Sequence, residues 1–284
     1  MTFHTYQLTW SMNILTPEIE KRIKGSVIDN IRRHRYDLVL KNIPLVLDRL
    51  YDSIPDNRRI SYGIVHTLDV LTKYLYENLE DHFLFPAAKT IFDEGGEFKN
   101  RAVGLGLLSF HGLNDYKDVL PYFRGAAADD FWITREIAAH YFRRIIREHL
   151  AGVKPFLVQC AKSPDPNVRR FVGETLRPVA INRWMQKNPG YSLAILRHLF
   201  TEKASYPRTS VGNNLSDLAR KNPERIYGLV EKLVKAGDKN SYWIAYRACR
   251  NLVKGEPQRV MALLGVDEYR YKDRHFKRDA RKGN

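Results

Sequence analysis

Three carboxylates carry the chemistry this sequence suggests: Glu136, Glu174 and Asp217. Each sits in or beside a short repeated pattern of a branched or small residue, a small residue, and a large apolar residue four positions after the first. The pattern reads Ile137-Ala138…Tyr141, Val172-Gly173…Leu176 and Val211-Gly212…Leu215. Taking its first residue as origin and turning about 100° per residue puts the apolar anchors at about 0° and 40°. Trp132, Glu136, the pair Glu174 and Asn213, and Asp217 then fall at about 220°, 260°, 200° and 240°. Three carboxylates, an indole and an amide thus share one stripe, away from the packing side. Such a stripe suits cleavage of a bond from C1′ of a sugar, where positive charge builds on the sugar and a fixed carboxylate stabilises it and orients water. An indole face attracts a cationic ring by about 1–2 kcal/mol when desolvated, so a cationic, alkylated purine on a sugar would meet both groups.

A second row lies beside the first. The position two before the origin, at about 160°, is Arg101, Arg135 and Arg170 in three successive repeats, and Thr209 in the next. Guanidinium groups take phosphate oxygens in a bidentate fork. Lys and Arg exceed Asp and Glu by 15 and the pI is near 9.7, which favours a polyanionic partner, nucleic acid first and an acidic membrane surface second. Ordinary readings exist beside these. Arg170 and Glu174 have the spacing of a surface ion pair worth a few tenths of a kcal/mol, and Glu136 has Arg135 and Arg143 as helical neighbours. Asn213, Asn214 and Asp217 are harder to explain that way, since Asn and Asp are mediocre in helix interiors. His140 follows Glu136 at metal-ligand spacing, but no further ligand cluster accompanies it, so it reads as a packing or solvated histidine. Trp243 and Tyr246 read as packing residues.

The elements that must position these groups are helices. Thr16-Pro17-Glu18 is a strong helix start, with Thr as cap and Pro in the first turn. Helical spacing continues through 37–54, with Ile43-Pro44 marking a kink or break, then 58–76, 86–92, 99–113, 116–124, 130–149, 152–161, 165–180, 191–201, 206–221, 223–236, 241–254 and 257–264. The helix over 206–221 has Val211, Leu215 and Leu218 as its apolar side. No segment shows the period-two alternation of a half-buried strand, so the fold reads as all-α. The pattern recurs from Val103-Gly104 through Ala248-Cys249 at steps of 34, 35, 39 and 37 residues, the spacing of helix hairpins that stack into an α-solenoid, a superhelix of antiparallel helix pairs. The small residues let neighbouring helices approach closely. An ordinary all-α bundle is the alternative. The expected organisation is an extension over 1–16, one repeat domain over 17–265, and a basic tail over 266–284, loosely held or disordered.

At 44% hydrophobic and 28% charged residues, the composition is soluble and globular. Cys160 and Cys249 form no CxxC pair, which suggests a reducing compartment. The N-terminus lacks the charge and apolar pattern of a signal peptide, and no stretch approaches a transmembrane length. A cytoplasmic location is expected, nucleoid-associated in a bacterium or archaeon.

The segments Phe131-Trp132-Ile133-Thr134-Arg135-Glu136-Ile137-Ala138, Val168-Arg169-Arg170-Phe171-Val172-Gly173-Glu174-Thr175-Leu176-Arg177-Pro178 and Ser210-Val211-Gly212-Asn213-Asn214-Leu215-Ser216-Asp217 resemble the AlkC/AlkD superfamily of HEAT-like-repeat alkylpurine DNA glycosylases, the AlkC branch most closely, over about residues 100–265. The resemblance implies a HEAT-like solenoid whose concave basic groove holds DNA, with Glu136, Glu174 and Asp217 as the catalytic acids. It implies a glycosylase that removes N3- or N7-alkylated purines without metal or cofactor. The expected DNA contacts are Trp132, Arg101, Arg135, Arg169, Arg170, Arg208, Asn213, Asn214 and Trp184. After Arg177-Pro178 this chain reads VAINRW, so Trp184 comes two residues later than the family's tryptophan. The expected partner is alkylated, bent or branched double-stranded DNA, with no membrane and a monomeric protein. A non-catalytic binder of bent or branched DNA is the second expectation, and a protein-interaction scaffold the third.

Overall fold

The computed structural model describes residues 13–278, with only the backbone at 60–62. The chain divides into two compact units, 1–123 and 124–284. In the first lie α1 (Pro17–Ile23), α2 (Asp29–Arg32), α3 (Tyr36–Asp52), α4 (Arg59–Asn78), α5 (Asp81–Glu94) and α6 (Phe98–His111), while α7 (Tyr116–Ala127) runs across the division. The second holds α8 (Trp132–Glu148), α9 (Leu150–Ala161), α10 (Pro166–Thr175), α11 (Trp184–Lys187), α12 (Pro189–Leu196), α13 (Ser205–Ala219), α14 (Pro223–Lys235), α15 (Lys239–Ala248) and α16 (Pro257–Leu264). Among the described residues no helix is long and apolar enough to cross a membrane.

Local chemistry starts and stops these helices. The Thr16 hydroxyl accepts from Ile19 N at 3.3 Å, capping α1 one residue before Pro17. Asp165 and Asp238 cap α10 and α15 in the same way, accepting from backbone N–H groups of the first turn, a contribution of about 1 kcal/mol each. Ile43-Pro44, marked in the sequence as a kink or break, is not a break: α3 runs through Pro44. Ile43, Val46, Leu47 and Leu50 are fully buried around it, and at roughly 1.5–3 kcal/mol each their burial outweighs the proline's cost. The expected helix over 165–180 instead ends at Thr175. Pro178 disfavours helical geometry at the residue before it, and Asn182 holds the bend by donating its amide to Thr175 O at 2.7 Å and Arg177 O at 3.3 Å.

In the second unit α8 packs on α10, α10 on α13 and α13 on α15, forming one layer. The companion layer is α9, α12, α14 and α16, with α9 against α8, α10 and α12, and α14 against α13, α15 and α16. This pairing of layered helices is the α-solenoid arrangement. Val211, Leu215 and Leu218 are fully buried, as the periodicity of α13 requires. The small residues mark true close approaches. A Cβ added at Gly173 would lie 2.9 Å from Ser210 Cβ, and one at Gly212 would lie 2.8 Å from Arg247 Cβ. In the first unit, where α5 packs on α6, a Cβ at Gly104 would lie 2.7 Å from the Phe92 backbone nitrogen. Backbone cannot swing aside, so Gly104→Ala is expected to destabilise by about 1–3 kcal/mol through overpacking, despite the better helix propensity of alanine. Urea unfolding measures this, and a stabilised variant would show that the two helices can part without cost.

The segment after Leu264 corrects the expectation of a loosely held tail, at least over its described part. Gly265, with φ of 68°, ends α16 in the left-handed region. Two strands follow, β1 (Glu268–Tyr271) and β2 (Arg274–Lys277), paired antiparallel with Tyr271 opposite Arg274. Tyr269 is fully buried, its ring stacked on Tyr246 at 4.4 Å and its hydroxyl donating to Tyr246 O at 2.8 Å. An aromatic anchor, rather than aliphatic burial, holds the hairpin to α15. Residues 1–12, within the expected N-terminal extension, and 279–284 lie outside the described residues.

Candidate functional site

The three candidate acids come from three neighbouring helices of one layer: Glu136 on α8, Glu174 on α10 and Asp217 on α13. They are joined through arginines into one alternating chain of charges. Arg170 Nη2 donates directly to Glu136 Oε1 and lies 3.9 Å from Glu174 Oε1. Glu174 Oε2 faces Arg177 Nη1 at 3.3 Å. Arg177 then donates from Nη2 and Nε to Asp217 Oδ2 at 2.7 and 3.0 Å. Asp217 Oδ1 lies 3.5 Å from Arg250 Nη2 and 3.7 Å from Arg220 Nη2. The carboxylates differ sharply in access: the Glu136 side chain is 37% exposed, while those of Glu174 and Asp217 are 8% and 12% exposed. Glu174 also accepts from the Ser210 hydroxyl at 2.6 Å, so its oxygens are turned toward α13.

Burial next to several charges sets the protonation chemistry of the guanidiniums. Arg143 donates to the Glu174 backbone oxygen at 2.8 Å. Burial pushes it down to about 10, with Glu174 and Glu136 pulling it up and Arg177 pushing it down. Burial alone would lower Arg177 too, yet the charges of Glu174 and Asp217 and its bond to Asp217 hold it above its ordinary value. Both remain cations at neutral pH.

The arginine row appears in a register one residue different from the sequence frame. Counted from the first residue of each helix, the fourth position is Arg101 on α6, Arg135 on α8, Arg169 on α10 and Arg208 on α13. Arg135 Nη1 donates to Asp129 O and Asp130 O, and Arg169 Nη1 to Ser163 O and Pro164 O. The two therefore clamp the loops before their helices in the same way, five and six residues back. Arg169, not Arg170, is the equivalent of Arg135, and α13 keeps its arginine as Arg208 despite Thr209. The sequence frame slipped because small residues, on which it was aligned, do not keep a constant distance from the helix start.

Arg169 also forks onto Glu202, with Nε to Oε2 at 2.6 Å and Nη2 to Oε1 at 3.0 Å. Burial alone would raise the Glu202 carboxyl, but the bonds from Arg169 and Ala204 N hold it below its ordinary value of 4.5. A depressed folded-state value means the carboxylate stabilises fully above the unfolded value and the gain is lost as pH falls below it. Unfolding in urea between pH 6 and pH 3 should therefore show a shallower acid loss in Glu202→Gln than in the parent, and identical slopes would remove Glu202 from the acid response.

Aromatic rings sit between the guanidiniums. The Arg170 guanidinium lies 4.2 Å above the Tyr206 ring and that of Arg135 5.7 Å from it. Arg208 and Arg247 flank Trp243 at 4.6 and 5.4 Å. Arg208 also donates to Asn240 Oδ1 at 2.7 Å. Trp132 begins α8 and is 59% exposed, one helical turn from Glu136. Arg101, in the other unit, lies over Phe92 at 4.8 Å.

Several expected contacts are structural stitches. Asn214 is fully buried and donates to Gly173 O at 3.0 Å, tying α13 to α10. Asn213 Oδ1 accepts from Arg247 Nε at 2.9 Å and Arg250 Nη1 at 3.1 Å, tying α13 to α15 and the turn that follows it. Trp184 packs against Tyr191 with ring centroids 5.7 Å apart. Sequence reasoning assigned nothing to Arg177, Arg250, Tyr206 or Ser210, which the structure brings into the charged chain or its arginine row. For Arg177 the signal was the Arg-Pro pair closing the second motif. For Arg250 the only hint was its spacing of three from Arg247.

No protein-family model matches the chain. The YhaZ protein of Bacillus subtilis, described as uncharacterized, is 26% identical over 140 residues, 47% of this chain and 38% of that protein. The matched part of the chain thus spans well under half the length of this curated relative. Among solved structures, AlkD2 from Streptococcus mutans superposes with a TM-score of 0.55 at 20% identity, covering 73% of this chain and 98% of that one. Pseudomonas fluorescens alkylpurine DNA glycosylase AlkC, solved bound to DNA containing an abasic site analog, superposes with a TM-score of 0.58 at 16% identity, covering 89% of this chain and 70% of that one. At these identities the likeness is one of architecture, and the chain has the all-α, HEAT-like solenoid fold of the AlkC and AlkD structures that its motifs resemble.

Proposed function

We propose that the protein is a DNA-repair glycosylase that excises N3- or N7-alkylated purines from duplex DNA. The observation that carries this reading is the pairing of exposed Trp132 with the partly exposed Glu136 one turn away, set within a row of arginines. Alkylation leaves the purine positively charged. Trp132 attracts the cationic ring, and Arg135 and Arg208, in the row beside it, take phosphate oxygens. The bond between the purine nitrogen and C1′ breaks with its electron pair on the purine, which becomes neutral. The positive charge passes to the sugar, where the Glu136 carboxylate opposes it. Water adds to C1′ and gives its proton to solvent. Glu174 and Asp217, held by Arg177, keep the charged chain in register behind Glu136. Monomeric action on bent duplex DNA belongs to the same reading.

A second reading is supported by the engagement of the other two acids. Glu174 and Asp217 are buried and paired with Arg177, the geometry of a structural charge network, which suits a non-catalytic binder of bent or branched DNA on the same face. The deciding experiment incubates the protein with methylated duplex DNA and measures free base. Release above the uncatalysed rate, lost in Glu136→Gln, supports the glycosylase. Tight, salt-sensitive binding without release supports the binder, and release that survives both Glu136→Gln and Asp217→Asn removes the carboxylates from the chemistry.

A further inference from the structure

The charge chain does not close on itself at its C-terminal end. Asp217 meets three guanidiniums, those of Arg177, Arg220 and Arg250, so positive charge is in excess there even before its neighbours are counted. Those neighbours are cations as well. Lys254, which donates to Asn251 Oδ1 at 2.8 Å, is held below its ordinary value first by burial and then by Arg274, Arg220 and Arg250. Tyr271 reports the same field. Burial would raise its phenol, but the bond from Arg250 and the charges of Arg250, Arg247 and Lys272 bring it down.

The hairpin is built into this cluster. Arg250 Nη1 donates to the Tyr271 hydroxyl at 2.9 Å, and the guanidiniums of Arg250 and Arg247 lie 5.1 and 5.8 Å from the Tyr271 ring. Tyr246 donates from its hydroxyl to Arg270 O at 3.1 Å and accepts from Arg270 N at 2.9 Å, which pins β1 to α15. The register then puts Arg274, on the exposed strand, opposite Tyr271. Arg220, Lys254 and Arg274 are exposed, while Arg250 is the partly buried member that joins them to Asp217.

We propose that Arg220, Arg250, Lys254 and Arg274 form a site for the phosphodiester backbone of a nucleic acid, completed by the C-terminal hairpin. Cations gathered at one place repel one another unless an anion sits among them. Each phosphodiester offers two non-bridging oxygens to forks of this kind, and a run of phosphates carries the contact along the layer of helices. This rests on the nucleic-acid part of the function proposed above and does not require base excision.

The test compares duplex-DNA binding across a salt series for the full chain, the variant R220A/K254A/R274A, and the charge-matched control K162A/K187A/R197A on exposed positions of other helices and loops. Each neutralised phosphate contributes about 0.9 to the slope of log K against log salt. The site variant is expected to bind at least about tenfold more weakly at about 100 mM salt with a slope smaller by about two, and the control is expected to stay within about twofold. R274A alone, on the hairpin surface, gives a smaller loss of the same kind and keeps the test independent of folding. Equal losses in both triple variants, or no loss in the site variant, would overturn the site. Saturation by inorganic phosphate, with DNA binding unchanged in the site variant, would reassign it to free phosphate and overturn the backbone reading. A parent protein that fails to bind duplex DNA at about 50 mM salt overturns both this site and the proposed function, whereas binding without base release sinks only the enzymatic reading.

Discussion

Replacing Arg177 with alanine is expected to lower the stability of the fold by about 3 kcal/mol, the low end for breaking a buried ion pair. One guanidinium joins two acids that burial has cut off from water. Its own side chain is 28% exposed, but those of Glu174 and Asp217 are 8% and 12% exposed. Removing it leaves Glu174 with Ser210 and the more distant Arg170, and Asp217 with Arg220 and Arg250 at 3.7 and 3.5 Å. Those remaining cations keep the loss below the upper end of the range. Lysine in its place is expected to recover only part, because a single ammonium cannot fork between two carboxylates. Adding Asp217→Asn to Arg177→Ala removes one of the stranded charges, so the double variant should be more stable than the sum of the two single losses by about 1–2 kcal/mol. Urea unfolding of the four proteins measures this coupling. A loss below about 1 kcal/mol in Arg177→Ala would mean that Arg220 and Arg250 replace it, and that the chain of charges has no central link.

That link was the hardest part of the site to see in the sequence, and the reason is physical. Helical periodicity reports which residues of one helix face the same way, and it found Val211, Leu215 and Leu218 correctly. It also located the close approaches at Gly104, Gly173 and Gly212. It says nothing of how far a long side chain reaches across to the next helix. Asn213 lies on the predicted stripe, yet its amide oxygen accepts from Arg247 and Arg250, and the amide nitrogen of the neighbouring Asn214 donates to Gly173 O. Arg177 lies beyond the end of α10, on a bend set by Pro178 and Asn182, where no helical wheel applies. The hairpin was legible in principle, since Tyr269-Arg270-Tyr271 alternates with period two, but four-residue strands give too short a signal to outweigh their charge.

On the proposed glycosylase mechanism, Glu136→Gln is expected to slow base release by about 10²–10³-fold, the range seen when a single group that stabilises transition-state charge is removed. Glutamine keeps the length of the side chain and an oxygen for Arg170 Nη2, so the geometry of α8 and the pairing with Arg170 survive. What changes is the charge. In the parent the carboxylate and the guanidinium offset one another, and the sugar cation meets a local field close to neutral or negative. In the variant Arg170 has only Glu174, 3.9 Å away, and a developing cation nearby is repelled. The loss should therefore fall on the single-turnover rate at saturating DNA, while DNA affinity stays equal or rises slightly because one negative charge has gone. Asp217→Asn makes the opposite case. Its carboxylate is buried among three arginines, so neutralising it frees positive charge at the far end of the chain and should strain the fold as well as the rate. A variant at Glu136 that loses affinity but not rate would turn that residue into a positioning group, and a rate within about threefold of the parent would move the chemistry away from the exposed end of the charge chain.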